Sequence, residues 1–256
     1  MLREKERDQV EVYEYDVIRY HLQRCLTLPK IRGFTDMTSC EHNRCLYFTG
    51  LKESLKYIHR LDVGAVGGAA TRWPVKLNDE PAGLSVNAAH NVLVTCSFVR
   101  KIKEFSSHGD LLRELVLPDD VIHPHHAIQI RTGEFIVCHG VGLIDAVHRV
   151  CKISADGRNV IKSHGGQRGS DIGQYDEPRY LAVDNDECVF VSDSNNRRVT
   201  LLSPTLDYVH QVVSLDAGKW FFCRLCLDIH RRHLYVADNE WEDFKYTRGR
   251  VVVFNL

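Results

Sequence analysis

A short apolar phrase that recurs along the chain constrains its fold more than any other feature. Each copy has three consecutive apolar or aromatic residues followed by two more residues, and the copies end at Gly50, Cys96, His139, Asp193 and Asp238. Successive ends lie 43 to 54 residues apart. A self-similar unit of about 40–50 residues built from short strands is typical of propeller blades. The repeat therefore predicts an all-β propeller.

The clearest copy divides into four strands, A to D, because turn-forming residues interrupt its apolar runs. Residues 180–183 are strand A, 189–192 strand B, 199–202 strand C and 208–213 strand D. The other copies give strands at 83–86, 92–94, 102–105 and 111–117, at 128–130, 135–137, 149–153 and 159–162, and at 225–227, 234–236 and 250–254.

The N-terminal segment holds two more pieces of the repeat. Residues 10–13 resemble a strand C, and residues 21–28 resemble the strand D at 111–117. A ring of blades has to close, because an open end leaves an edge strand unpaired and half a core exposed. We expect N-terminal strands to pair into the last blade. Since 10–13 duplicates a strand C already present at 251–254, the alternatives are six blades with one incomplete, or a piece of a longer protein.

Composition limits the classes of partner. The chain has 33 basic and 34 acidic residues and a formal net charge of −1, so no overall field draws it to DNA or to an anionic membrane. We expect a charged tail at 1–9 without a secretory signal, and one domain over 10–256 without a membrane span. The nine cysteines are spread through apolar runs, which favours reduced thiols and a cytoplasmic location.

A family resemblance rests on one stretch of the sequence. Residues 165–178 form a Gly-rich approach to Pro178, residues 181–184 read Leu-Ala-Val-Asp, and residues 191–199 read Val-Ser-Asp-Ser-Asn-Asn-Arg-Arg-Val. This stretch resembles an NHL repeat over about 165–202. The likeness is partial over 222–254, where Asp238 and Arg250-Val251 are kept, and weak in the earlier copies. The resemblance implies an NHL-type propeller, most often of six blades.

The motif at Asp193, Asn196 and Arg198 has a structural interpretation. We predict that Asn196 lies in a turn while Asp193 and Arg198 pair to brace adjacent hairpins, with Pro178 opening strand A and Asp238 as the second copy. A repeated motif usually supports the repeated architecture.

The sequence supports a catalytic or metal site less well than it supports the structural motif. His126 and His139 belong to a local histidine cluster, and similar propellers, the peptide-amidating lyases, hold a metal through histidines of different blades. Here the positions matching His126 in other repeats are Ala82, Arg179 and Cys223, so one blade alone offers histidine. The sequence also lacks a P-loop, paired zinc-ribbon cysteines and a Gly-x-Ser-x-Gly elbow. We predict no catalytic residue, no metal and no cofactor.

Binding at the loop rim is the predicted function. Loops on a rigid scaffold are where function concentrates, and the strand B–C loops of this chain differ in chemistry from blade to blade. A protein or peptide is the predicted partner; RNA is the alternative, as in the ubiquitin ligase-related TRIM-type NHL proteins, and a metal-dependent lyase or hydrolase is the second. The candidate rim residues are Arg179, Tyr180, Asn195, Asn196, Arg197, Arg198, Arg224, Trp241, Tyr246, His126 and His139.

Overall fold

The computed structural model describes the backbone of residues 2–5, 9–16, 21–29, 35–52, 55–63, 70–77, 81–142, 147–214, 220–242 and 245–256. Side chains are described within 35–50, 56–63, 81–142, 147–214, 224–238 and 251–256, and at 70, 71 and 73. All regular elements of these ranges are β-strands. None of the described residues forms a helix long and apolar enough to cross a bilayer.

The strands hydrogen-bond in chain order into six sheets within the described ranges. The first contains β1 (Leu2–Lys5), β2 (Gln9–Asp16) and β3 (His21–Pro29). The second contains β4 (Met37–Cys40), β5 (Cys45–Lys52), β6 (Leu55–Asp62) and β7 (Ala70–Leu77). The third contains β8 (Pro81–Val86), β9 (Val92–Cys96), β10 (Lys101–Phe105) and β11 (Leu111–Val116).

The remaining sheets continue the same pattern. The fourth contains β12 (His126–Gln129), β13 (Phe135–His139), β14 (His148–Ile153) and β15 (Val160–Gly166). The fifth contains β16 (Pro178–Val183), β17 (Val189–Asp193), β18 (Arg198–Leu202) and β19 (Tyr208–Ser214). The sixth contains β20 (Trp220–Asp228), β21 (His233–Glu242) and β22 (Lys245–Asn255). The all-β prediction and the four-strand unit are confirmed by the sheets at 81–116, 126–166 and 178–214.

The N-terminal strands differ from expectation. In the described residues β1, β2 and β3 form a sheet of their own, and the last sheet contains β20, β21 and β22 alone. The expected pairing of N-terminal strands into the last blade is therefore wrong for these strands. The segment expected as a charged tail includes β1, which pairs with β2 through Leu2 and Val12. A total of six blades stays a prediction.

Strands β21 and β22 extend beyond the apolar repeat, because they include residues 239–242 and 245–248. Trp241 lies opposite Tyr246 in the register, next to a bulge. The register also sets Glu242 opposite Lys245 and Glu240 opposite Arg248. Strand pairing therefore continues past the residues at which the apolar pattern ends.

Short polar side chains close the hairpins. Between strands C and D, a serine Oγ accepts from a backbone N–H four or five residues later, at 3.1 Å from Asp110 to Ser106, 3.0 Å from Asn159 to Ser154 and 3.1 Å from Asp207 to Ser203. Between β16 and β17, Asp184 Oδ1 accepts from the backbone N–H groups of Asp186 and Cys188. Such local bonds favour turns over continued strands.

The chain divides into two compact units, one of residues 1–96 and 103–114 and the other of 97–102 and 115–256. In the first, Tyr47 and Trp73 pack with Phe105 and Leu84. The second has two cores, one between the fourth and fifth sheets and one between the fifth and sixth. One domain over 10–256 stays a prediction.

Candidate functional site

Asp193, at the end of β17, forms the centre of the predicted structural motif. It is fully buried, and its Oδ2 accepts from Arg198 Nε and from Asn196 Nδ2, each at 2.8 Å. Its Oδ1 accepts from the backbone N–H of Asp176 at 2.7 Å. Burial raises the pKa of Asp193 to about 6, while these donors act in the opposite direction. The predicted pairing of Asp193 with Arg198 is confirmed.

Arg198 also holds the Gly-rich stretch, which is a loop between β15 and β16. Its Nη1 donates to the Ser170 carbonyl at 2.6 Å, and its Nη2 donates to the Gln174 carbonyl at 2.8 Å. Asn196 Nδ2 adds a bond to the Gly169 carbonyl at 2.8 Å. We call residues 169–174 the clamped loop. A Cβ on Gly169 would clash with the end of the Gln174 side chain, so a larger residue there requires that side chain to move.

The turn that carries the motif contains Asn196, as predicted. Residues 194–197 form it, and Arg197 has a left-handed backbone within it, at φ 53°. Asn195 Nδ2 donates to Asp176 Oδ1 at 2.9 Å. The Arg197 side chain has a buried Nε with no hydrogen-bond partner in the described part of the chain. Of the two arginines, Arg198 is therefore a structural residue, while the half-buried Arg197 makes no side-chain hydrogen bond or ion pair with a described residue.

A second cluster lies at the start of β16. The Arg224 guanidinium lies 5.0 Å from the centre of the Tyr180 ring, and the His125 ring meets Tyr180 edge-on at 5.0 Å. Arg179 Nε donates to Glu177 Oε2 at 3.1 Å. The backbone carbonyl of Arg179 accepts a hydrogen bond from His125 Nδ1 at 2.8 Å. The structure thus brings together Arg179, Tyr180 and Arg224, three of the predicted rim residues.

The two predicted rim histidines are interior side chains. His126 is buried beside Tyr180, and His139 is fully buried with its Nε2 3.4 Å from Cys151 Sγ. Burial lowers the pKa of His139 to about 4 and raises that of Cys151 to about 12. Both groups are neutral at pH 7, unlike the charged pair of a cysteine nucleophile. The predicted rim position is therefore wrong for both histidines, because their side chains on β12 and β13 are buried.

Exposed apolar side chains gather where B strands end and A strands begin in the second unit. Phe98 is 64 % exposed, and Val99, Ile122 and Val147 are 37 to 41 % exposed. Phe98 meets the His123 ring edge-on at 5.2 Å, Ile122 accepts from the Gly140 N–H at 2.8 Å, and Gly140 lies beside Val147. We call Phe98, Val99, Ile122, His123 and Val147 the rim patch.

Ion pairs flank the rim patch. Arg100 Nη2 lies 2.9 Å from Asp119 Oδ1, and Arg149 Nη2 lies 3.1 Å from Asp120 Oδ2. Each cation therefore has its own carboxylate, and the patch between them is apolar and close to neutral.

The other predicted residues occupy strands. Pro178 is buried at the start of β16, opposite Asp193 and next to a bulge. Asp238 is buried and lies opposite Arg250, as Asp193 lies opposite Arg198. Trp241 and Tyr246 lie on β21 and β22, and their side chains fall outside the described ones. Among the described residues, no group of three or more His, Cys, Asp or Glu side chains is placed to hold a metal ion.

Comparison with known proteins gives the fold. No family model and no curated protein matches the sequence. The chain is similar to the virginiamycin B lyase of Staphylococcus aureus (TM-score 0.57, 14 % identity, 88 % of this chain and 70 % of that one). It is also similar to a chain of the nidogen/laminin complex, with a TM-score of 0.65 and 15 % identity over 94 % of this chain and 89 % of that one. A streptogramin B lyase is similar as well, with a TM-score of 0.60 and 9 % identity over 100 % of this chain and 82 % of that one. At these identities the likeness establishes a propeller fold alone.

Sequence reasoning missed the rim patch, although it included Arg197 among the candidate rim residues. Phe98, Val99 and Arg100 were recognised as a B–C loop, but nothing in their order predicts how much of each remains exposed. Ile122 and Val147 gave no signal, because single apolar residues in loops are common at protein surfaces. His148 was also missed; it is fully buried, and its Nδ1 accepts from the Glu177 N–H at 2.9 Å.

Proposed function

We propose that the protein is a non-enzymatic binding scaffold of the NHL type that holds a protein or peptide partner on the rim patch. The observation that carries this proposal is the cluster of exposed apolar side chains around Phe98 and Ile122. Contiguous exposed apolar surface rimmed by polar residues marks interaction sites in folded proteins. Aromatic and aliphatic anchors of this kind supply much of the binding energy at interfaces.

The charges around the rim patch favour a protein over RNA. A polyanion needs arginines and lysines whose positive charge faces outward. Arg100 and Arg149 lie beside Asp119 and Asp120, and Arg198 donates to Asp193 and to loop carbonyls. A neutral, apolar surface instead suits a partner that buries apolar side chains on binding.

Capture by the purified protein tests this proposal. The wild type, the variants Phe98→Glu and Ile122→Glu, and the control Val209→Glu are each incubated with cell extract before and after nuclease treatment. Val209 is a matched control because it is 49 % exposed on β19, away from the rim patch. We expect a protein captured independently of nuclease, with recovery falling about tenfold or more in both rim variants and unchanged in the control.

Two results would overturn the rim-patch assignment. Equal recovery by all four proteins would show that the patch makes no contact. Loss of capture on nuclease treatment, with binding that weakens steeply as salt rises, would favour the RNA alternative.

Absence of catalysis and of metal is part of the same proposal, as is a reducing, cytoplasmic environment. The lyases among the similar structures share the fold at 14 % and 9 % identity, which carries no active site to this chain. Elemental analysis of the purified protein checks the metal: one equivalent of zinc, lost in His126→Ala, would favour the lyase alternative.

A further inference from the structure

The clamped loop is an unusually fixed segment for its size. Its backbone is bonded within itself, from Gly169 N–H to the Tyr175 carbonyl at 3.1 Å and from Gln174 N–H to the Asp171 carbonyl at 3.0 Å. Arg198 and Asn196 bind the carbonyls of four of its residues from the neighbouring turn. A loop already ordered before binding loses little conformational entropy when a partner docks.

The clamped loop presents an apolar side chain to solvent. Ile172 is 75 % exposed, more than any other large apolar residue among the described side chains. It lies between Asp171 and Gly173, whose positive φ of 82° turns the chain at this point. The hydrogen bonds on either side hold Ile172 in one position at the surface. A partner can therefore pack on this side chain without the loop rearranging.

Arg197 gives an independent sign of a ligand beside this loop. Its side chain is half-buried and makes no hydrogen bond or ion pair with a described residue, and its buried Nε is left unsatisfied. The carboxylates nearby have other donors: Asp193 holds Arg198 and Asn196, and Asp176 holds Arg168 and Asn195. A carboxylate supplied by a ligand would give the Arg197 guanidinium an ion-pair partner.

Ile172 lies on the clamped loop and Arg197 lies in the turn at 194–197, and hydrogen bonds join these two segments. Arg197 is flanked by Asn196 and Arg198, and both neighbours donate to the loop that carries Ile172. We propose that Arg197 and Ile172 form a binding subsite for an acidic and apolar peptide segment of a protein partner. A carboxylate of the segment pairs with the Arg197 guanidinium while an apolar side chain packs on Ile172. This inference rests on the proposed binding function and adds the chemistry of the partner.

A single carboxylate fits this subsite better than a nucleic acid backbone. The loop itself carries Asp171, and Asp176 and Glu177 follow it, so a polyanion would meet like charges. Single-stranded nucleic acid is generally bound by stacking on aromatic side chains, whereas the exposed group here is aliphatic. An Arg–carboxylate pair contributes strong, charge-assisted hydrogen bonds.

Peptide binding measured by fluorescence anisotropy tests the proposal. The probes are short synthetic peptides that combine Asp with Leu or Ile at varied spacings, each paired with a twin in which Asn replaces Asp. The proteins are wild type, Arg197→Gln, Arg197→Lys and Ile172→Asn, with controls Arg158→Gln and Val209→Asn, which alter an exposed arginine and an exposed apolar residue elsewhere.

We expect at least one Asp peptide to bind wild type about tenfold more tightly than its Asn twin. Arg197→Gln and Ile172→Asn should each weaken binding about tenfold, Arg197→Lys should restore part of it, and the controls should match wild type. Circular dichroism of each variant verifies that the fold is retained.

Equal binding of Asp peptides and their Asn twins, no binding at all, or unchanged affinity in Arg197→Gln would each overturn the subsite. Tighter binding of single-stranded RNA than of the peptides, with that RNA binding lost in Arg197→Gln, would also overturn it. Failure here is distinct from failure of the proposed function: capture lost in Phe98→Glu but kept in Arg197→Gln would retain the rim patch and reject the subsite.

Discussion

At the residue scale, one buried carboxylate decides whether two neighbouring segments stay joined. Asp193 accepts hydrogen bonds from Arg198, Asn196 and the Asp176 backbone. Replacing Asp193 by Ala leaves these donors unsatisfied and the Arg198 charge without its partner. We expect Asp193→Ala to lower the free energy of unfolding by about 3 kcal/mol, measured by urea denaturation.

The double variant provides the control for this prediction. Removing Arg198 as well eliminates the unpaired charge, so Asp193→Ala with Arg198→Ala should destabilise by less than the sum of the single variants. Additive effects would indicate that Asp193 and Arg198 act independently.

Buried histidines predict the response to acid. Burial, together with Arg179 for His125 and Arg149 for His139, lowers the pKa of His125 to about 3 and of His139 to about 4. The unfolded chain takes up these protons near pH 6.5, so stability is lost as pH falls from about 6.5 towards 4. Asp193 acts in the opposite sense, because its raised pKa of about 6 lets the native state keep a proton that the unfolded chain releases.

Two histidines against one carboxylate leave a net loss of stability in acid. We expect the free energy of unfolding to be lower at pH 5 than at pH 7, each histidine contributing up to about 1.4 kcal/mol per pH unit. Urea denaturation at both pH values measures this, and His139→Gln should reduce the difference. A protein equally stable at both pH values, or a variant with the wild-type difference, would contradict the prediction.

The sequence predicted residue pairings better than residue exposure. Asp193 and Arg198 were predicted as partners because strand B ends and strand C begins at those positions. The separate states of Arg197 and Arg198 were beyond sequence reasoning. Arg198 pairs with Asp193, whereas the Arg197 Nε is buried with no hydrogen-bond partner among the described residues.

At the element scale, the loop after β13 depends on glycine at one position more than at another. Gly140 and Gly142 both have positive φ, at 94° and 82°. A Cβ on Gly140 would clash with the Val147 carbonyl oxygen, while one on Gly142 would meet no atom of the described residues within 4 Å. Gly142→Ala should therefore lower the free energy of unfolding by about 1–2 kcal/mol, which is the cost of a left-handed backbone at a residue with a Cβ.

Gly140→Ala should lower the free energy of unfolding clearly more than its matched control, Gly142→Ala, because the loop must also move away from Val147. Thermal denaturation compares the two variants, and we expect the lower midpoint for Gly140→Ala. The rim patch gives a second measurement, since displacement of Val147 should weaken partner capture in Gly140→Ala alone. Equal midpoints would indicate that the loop accommodates a methyl group.

Strand boundaries followed from the apolar pattern wherever polar turn residues interrupt it. The β17–β18 hairpin was predicted because Ser194, Asn195 and Asn196 separate two apolar runs. The extension of β21 and β22 was missed, since half of residues 239–248 are charged and the stretch resembles a loop. The register sets Glu240 opposite Arg248, and a register is visible only once the strands are paired.

At the scale of the whole molecule, repetition predicted the fold class but not the pairing of the terminal strands. A propeller blade is a local unit, so its pattern is present in a continuous stretch of sequence. Pairing between chain ends joins residues far apart in sequence, and their patterns are alike in every blade. The sequence therefore did not distinguish a sheet of β1 to β3 from strands added to the last sheet.

Cysteine accessibility is a property of the whole fold. Among the seven cysteines whose side chains are described, Cys226 is exposed and Cys188 is partly exposed, whereas Cys40, Cys45, Cys96, Cys138 and Cys151 are buried. Burial also raises the pKa of Cys138 and of Cys151 to about 12, which lowers the fraction of reactive thiolate. Of these seven thiols, a reagent should therefore reach Cys226 first in the native protein.

Alkylation followed by peptide mass spectrometry measures each thiol separately. We expect Cys226 to be labelled at least about a thousandfold faster than Cys138 and Cys151, because these two react only when the surrounding sheets open. Urea should equalise the rates, and Cys226→Ser should remove the fast phase without changing the slow one. Rapid labelling of Cys138 in the folded protein would contradict the burial of strand β13 between its neighbours, and with it the packing of the fourth sheet against the fifth.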